Sequence, residues 1–471
     1  MHRQVFFRLG LPAFVFLTAL WMTISCPAAT AGISDNVKTT TLPNGIRVLV
    51  LENHKAPVAT FNVFYKVGSR NEQFGKTGLS HLVEHLMFRG TKKLKPEEFS
   101  NIIQENGGMD NAFTTQDYTD YFEVINKDHL DVPIGLEADR MANFDPKGFD
   151  SERAVVAEER RMRTEDNPED ALEEVTQAQA FVEHPYHWPV VGWMQDIQHL
   201  TLKDALDYHS MYYSPQNAII VAVGDFDAAK VTKQIAEQFG SIKNGAKPLP
   251  MPLVEPPQDG QRRTILRHAA NLPAFIEGWH VPTLKSSDAY ALEVAGEILS
   301  DGKSSRLYKD LVIDKRMVVG AGADYDMTSF DPPLFAISGQ LRPGVKVDDV
   351  LAEVDTQVKQ MQDTTVTDDE LQKAKNLEQA QFVYGQDSIF REAMMLGVYE
   401  MLGDYRMVDR YLEGIEKVTA ADVQRVMQKY LVAQNRTIGL LEPTGVLPPG
   451  AGHGGGEGGM VHHSASIGGA L

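Results

Sequence analysis

Proline is too dense between Gly245 and Gly260 for that stretch to join a helix or a sheet. Pro248, Pro250, Pro252, Pro256 and Pro257 each lack a backbone donor. The stretch reads as an extended linker, and it divides the chain into two parts whose elements repeat in the same order. Strand-like runs open each part, at 46–51 and 59–67 in the first and at 263–267 and 274–280 in the second. An apolar-periodic helix follows at 78–88 and at 290–299. A charged helix then starts on acids, near Asp150-Ser151-Glu152 and near Asp368-Asp369-Glu370. A closing strand ends each part, at 217–224 and 436–441. The repeated order predicts an internal duplication of an α+β unit: two homologous domains, each a mostly antiparallel sheet packed with helices.

The two ends of the chain differ from this body. Arg3 and Arg8 precede an apolar run over 9–26, and Ala29-Thr30-Ala31 is a small-x-small cleavage site. This pattern predicts a secretory signal peptide over 1–31 and a periplasmic mature protein. An uncleaved run would instead act as a membrane anchor, an alternative that Pro12 and the cleavage site argue against. Cys26 is a further candidate for lipid attachment, but Thr23-Ile24-Ser25 makes a poor lipobox. After Pro443 the chain turns glycine-rich, with His453, His462 and His463, and reads as a solvated tail. The formal charge of −19, from 45 basic and 64 acidic residues, excludes a general nucleic-acid binder, which needs a basic face. A single cysteine excludes a disulfide framework and any cysteine-rich zinc site.

The chemistry concentrates at His81-Leu82-Val83-Glu84-His85. On a helix, residues four apart lie on one face, so His81 and His85 can offer imidazole nitrogens to one metal ion, with Glu84 beside them. Two imidazoles and a carboxylate suit zinc and leave a position for water. Zinc acidifies that water, and a neighbouring carboxylate can take its proton for attack on a carbonyl. The order inverts the commoner His-Glu-x-x-His, and both orders support metal-assisted hydrolysis. A third ligand must come from elsewhere, and the helix starting at Asp150 is the candidate. Glu152 and Glu159 are two turns apart and share a face, whereas Glu158 points about 100° away. Spacing alone leaves all three open as ordinary acids of a charged helix.

The stretch Gly78-Leu79-Ser80-His81-Leu82-Val83-Glu84-His85-Leu86-Met87-Phe88-Arg89-Gly90-Thr91 closely resembles the active-site helix of the pitrilysin/insulinase family of zinc metallopeptidases. More narrowly, it is similar to the bacterial processing-peptidase-like members. The resemblance runs along nearly all of 36–443. It includes Thr41-Leu42-Pro43-Asn44-Gly45, residues 107–114 from Gly107 to Thr114, Tyr213-Ser214-Pro215-Gln216-Asn217 and Ser305-Arg306-Leu307-Tyr308. It implies a clam-shell of two homologous domains, with His81, His85 and Glu159 as zinc ligands and Glu84 as general base. It also implies that Glu152 supports the site from behind the ligands. Asn111 and Ala112 match a segment beside an edge strand that binds extended peptide.

The organisation expected on these grounds is a signal peptide over 1–31 and a zinc-binding catalytic domain over 32–244. A linker over 245–261, a homologous non-metal domain over 262–443 and a tail over 444–471 follow. The second part has no histidine in its equivalent helix, and aligning Glu152 with Glu370 puts Leu377 opposite Glu159. The resemblance also implies an Arg and a Tyr, seven apart, that contact substrate from a second domain. The two positions hold Val312 and Val319 here, which cannot donate. Arg306 and Tyr308 read as structural. The expected function is a zinc endopeptidase acting on peptides or unfolded segments, as the zinc-bearing subunit of a hetero-oligomer whose homologous partner supplies the Arg/Tyr pair. The alternatives are a non-catalytic assembly subunit and a maturation protease for one dedicated precursor.

Overall fold

Runs rich in β-branched and aromatic residues become strands close to where their pattern places them. In a computed structural model, which describes residues 32–248, 251 and 253–445, the first half carries β1 (Lys38–Thr41), β2 (Arg47–Glu52), β3 (Val58–Tyr65), β4 (Met109–Thr114), β5 (Thr119–Asn126) and β6 (Ala218–Gly224). The second half carries β7 (Arg262–Ala269), β8 (Ala274–His280), β9 (Val318–Asp324), β10 (Leu334–Leu341) and β11 (Arg436–Gly445). The expected signal peptide lies outside the described residues, as does the expected tail beyond Gly445. No helix among the described residues is long and apolar enough to cross a membrane.

The duplication is visible in the sheets. The first runs β1-β2-β6-β3-β5-β4 and the second β7-β11-β8-β10-β9. Without the extra edge strand β1 the two orders coincide, strand for strand. Each sheet is antiparallel except for one parallel pair, between the first and last strands of the repeat: β2 with β6 and β7 with β11. The fold is therefore α+β with two homologous sheet-and-helix domains, and the sheets are mixed by that one pair.

Helices pack on both sheets. The first half contributes α1 (Leu79–Leu86), α2 (Glu98–Glu105), α3 (Asp131–Ala142), α4 (Phe149–Arg160), α5 (Pro168–Ala180), α6 (Met194–His199), α7 (Leu202–Tyr212) and α8 (Ala228–Phe239). The second contributes α9 (Asp288–Ser300), α10 (Val347–Asp363), α11 (Asp368–Gly385), α12 (Ile389–Leu402), α13 (Arg410–Lys417) and α14 (Ala420–Tyr430). Two of these helices cross over. α5, from the first half, lies on β11, β7 and β8, and α12, from the second, lies on β6 and β3. Both contacts need glycine: a Cβ on Gly439 would sit 1.8 Å from Thr176 Oγ1, and one on Gly397 would sit 2.2 Å from the Phe64 ring. Phe64, Val221 and Val223 of the first sheet share a core with Met394, Leu396 and Val398 of α12. Each half thus covers one face of the other's sheet, and the apolar burial at both crossings holds the halves together.

Candidate metal centre

The helix α1 is started and seated by its neighbours. Gly78 takes a left-handed conformation at its N-cap (φ +84°). Its amide and that of Ser80 each donate to the buried Glu72 carboxylate at 2.7 Å, which satisfies donors that a helix start leaves unpaired. Leu79, Leu82, Val83 and Leu86 are buried in the first-half core, which turns His81, Glu84 and His85 toward α4 and β4.

The structure brings together His81, His85 and Glu159, whose ligand atoms all lie within 4.8 Å of one another. Oε2 of Glu159 is 3.2 Å from His85 Nε2 and 3.7 Å from His81 Nε2. Glu152, one face-repeat earlier on α4, stands behind His85: its Oε1 is 3.1 Å from Nδ1. A carboxylate there orients the ring so that Nε2 points forward. Glu158 lies on the exposed side and pairs with Arg161, as the helical spacing requires. Glu84 is buried, and its Oε2 accepts a 2.6 Å hydrogen bond from Thr114 at the end of β4.

The electrostatics suit a cation. Burial, then His85, lowers His81 to about 4, so its imidazole is neutral and able to ligate. Burial works against the proton on His85 too, but Glu152 and Glu159 outweigh it and raise this group to about 9. Glu159, despite its burial, is lowered to about 2, chiefly by His85. The two carboxylates thus favour a positive charge beside them, which protonated His85 supplies and which a divalent ion would supply in place of that proton. Two imidazole nitrogens, one carboxylate oxygen and a second acid behind the ring are a donor set that fits zinc.

Asn111 and Ala112 lie on β4, the edge strand next to α1, with Asn111 exposed and Ala112 half-buried. Thr114, which the sequence reading did not single out, shares a strand face with Ala112, two residues away. It also lines a cavity of about 500 Å³ between the two halves. Glu169, Asp170, Glu173, Asp324 and Asp326 line this cavity, and among the described residues no lysine, arginine or histidine does. In the second half, Val312 is buried in the turn before β9, and Val319 is exposed on β9. Arg306 is structural: it pairs with Glu370 through Nε at 2.8 Å and an amino group at 3.0 Å.

The second half replaces the histidines with acids. α9 follows β8 as α1 follows β3, and its Glu293 and Glu297 are four apart, as His81 and His85 are. The residue of α11 that turns in beside them is the buried Glu378, not Leu377 as the register from Glu370 suggests. Burial, then the neighbouring carboxylates, pushes Glu293 and Glu297 up; burial also raises Glu378, although Tyr411 donates to it. A carboxyl that holds its proton longer in the folded state stabilises the fold at low pH. That contribution fades as pH rises above the ordinary carboxylate range. Glu297→Gln is therefore expected to melt progressively higher than the unaltered chain as pH is raised from about 6 to about 9, as followed by circular dichroism.

Comparison with known proteins agrees with the geometry. Residues 47–192 match the description "Insulinase (Peptidase family M16)", and residues 199–378 match "Peptidase M16 inactive domain". The zinc protease PqqE of Helicobacter pylori is 36% identical over 410 residues, covering 86% of this chain and 92% of that protein. An uncharacterised zinc protease of Streptomyces coelicolor is 30% identical over 411 residues, covering 84% and 87%. Among solved structures, a protease from Helicobacter pylori superposes with a TM-score of 0.83 at 35% identity, covering 86% of this chain and 99% of that one. The periplasmic protease PqqL of Escherichia coli shares the fold alone, with a TM-score of 0.72 at 14% identity over 90% of this chain and 50% of its own. With both halves matched and the His81, His85 and Glu159 cluster in place, the chain belongs to the insulinase family of peptidases, family M16.

Proposed function

We propose that this chain is a zinc-dependent endopeptidase for peptides or unfolded segments, with His81, His85 and Glu159 as ligands and Glu84 as general base. The observation that carries this reading is the convergence of three ligand atoms beside a buried carboxylate, at one end of an edge strand. Bound zinc supplies a Lewis acid and an acidified water. Glu84 accepts a proton at its carboxylate and returns it to the leaving amine, and burial raises its affinity for that proton. Thr114 fixes the carboxylate through its hydroxyl. Glu152 holds His85 through Nδ1. β4, at Asn111 and Ala112, adds the substrate backbone as a further strand, and the cavity beyond Thr114 receives side chains.

The setting belongs to the same proposal. The mature protein works in the periplasm after removal of residues 1–31. Val312 and Val319 offer no donors, so a homologous subunit supplies the Arg/Tyr pair.

Cleavage of an unstructured, fluorescence-quenched peptide library by the zinc-loaded chain tests the reading, with Glu84→Gln as control. Because the described residues of the cavity wall include acids and no bases, peptides with Lys or Arg are expected to be cut faster than acidic ones. The difference should shrink as salt is raised. Equal rates for both classes at low salt would sink the charge preference. A zinc-loaded chain that stays silent alone, yet cuts after addition of a homologous subunit, supports the hetero-oligomer. Silence in both cases favours an assembly subunit.

A further inference from the structure

Glu159 divides its carboxylate oxygens between unlike partners. Oε2 faces the two histidines, whereas Oε1 is 3.1 Å from Nε of Arg163. Arg163 sits one turn on, in the π-helical turn Arg161–Glu165 that continues α4. Such turns shift side chains off the regular helical register and recur at functional sites. The next residue, Thr164, lines the cavity, so the turn that carries Arg163 also reaches the cavity wall. Its side chain is 74% exposed, so the ion pair adds little to stability, and its consequence is geometric. Glu152 is divided in the same manner, with Oε1 on His85 and Oε2 3.3 Å from Nε of Arg89.

We propose that Arg163 is a positioning residue that restricts Glu159 to ligation through one oxygen, and so sets the centre for a four-coordinate ion over larger divalent ions. Two nitrogens and a single carboxylate oxygen leave one position of a tetrahedral ion for water. Ions such as manganese take more oxygen ligands and would draw on Oε1 as well. An arginine already ion-paired with Oε1 opposes that. The inference rests on the reading of His81, His85 and Glu159 as ligands.

The test uses the full chain, freed of metal and then loaded separately with zinc, cobalt(II) or manganese(II). Arg163→Met and Arg163→Lys are compared with the unaltered chain. Arg161→Met serves as control, because Arg161 pairs with Glu158 on the exposed side and, among the described residues, with no ligand. Competition against a chromophoric chelator measures affinity. The visible band of cobalt(II), intense when four-coordinate and several-fold weaker at higher coordination, reports geometry.

Arg163→Met is expected to weaken zinc about 10–100-fold, as loss of an outer-shell partner does, and to narrow the zinc-to-manganese preference. Its cobalt band should lose intensity, Arg163→Lys should fall between, and Arg161→Met should match the unaltered chain. Unchanged zinc affinity and an unchanged band in Arg163→Met overturn the proposal. So does an equal loss of zinc and manganese with the band intact, which would make Arg163 a general charge only. An unaltered chain that binds no zinc overturns the ligand reading, and this inference with it. Zinc binding and a cobalt band that are both normal in the unaltered chain and in Arg163→Met overturn this inference alone.

Discussion

Glu84→Gln is expected to lower peptide hydrolysis about 10²–10⁴-fold while leaving zinc bound, because it removes a proton acceptor and little else. Gln keeps an oxygen that can accept from Thr114, so the 2.6 Å contact to β4 has a replacement and the helix face stays in register. The carboxyl is buried and has its proton affinity raised by that burial, so exchange for a neutral amide is not expected to destabilise the fold. The loss should appear in kcat, since Glu84 is not among the groups placed to hold an ion. Steady-state kinetics on one quenched peptide, with metal content measured on the same sample, checks this. Retained activity in a zinc-loaded Glu84→Gln chain would remove Glu84 from the mechanism.

The second large effect is the loss of the ion itself. His85→Ala deletes one of the three ligand atoms and also the ring whose Nδ1 meets Glu152. Glu152 and Glu159 then face each other without the base that neutralises them, so the variant loses both a ligand and the orientation of the acids. The expected fall in zinc affinity exceeds the about 10–100-fold that loss of an outer-shell partner costs, and hydrolysis should fall with it. Thermal melting separates this from misfolding. Zinc raises the melting temperature of a chain that binds it only when folded, and the rise grows with the ratio of zinc to Kd. The unaltered chain should show that rise and His85→Ala should not, with the zinc-free forms melting as cooperatively as each other. A zinc-induced rise that survives in His85→Ala would move the centre elsewhere.

Several parts of this site are local and therefore legible from the chain. His81, Glu84 and His85 lie within five residues, and helical geometry alone puts the two imidazoles on one face. The seven-residue step from Glu152 to Glu159 likewise places both acids on one side of α4 and leaves Glu158 outside, where it meets Arg161. The repeat of strands and helices around the proline-rich stretch is a matter of order along the chain, and the two sheets reproduce it strand for strand.

Contacts between distant segments were not legible in the same way. Nothing in the local pattern says that Thr114 meets Glu84, since the two are thirty residues apart and joined only by the packing of α1 on β4. The register from Glu370 pointed to Leu377, whereas the structure turns Glu378 toward α9, because which face of α11 is buried depends on the helices it packs against. Likewise the crossing of α5 and α12 onto each other's sheets depends on two close approaches at Gly439 and Gly397, neither marked by any neighbour in sequence.

By itself, then, the sequence determined the duplication, the helix that carries the two histidines, and the acids able to face them. These follow from periodicity and from residue types a few positions apart. The tertiary structure alone decided which acid oxygen meets which ring, which arginine meets the second oxygen of Glu152, and which walls enclose the acidic cavity. Those are distances between groups far apart in the chain, set by how apolar faces of different elements are buried against one another, and no local pattern contains them.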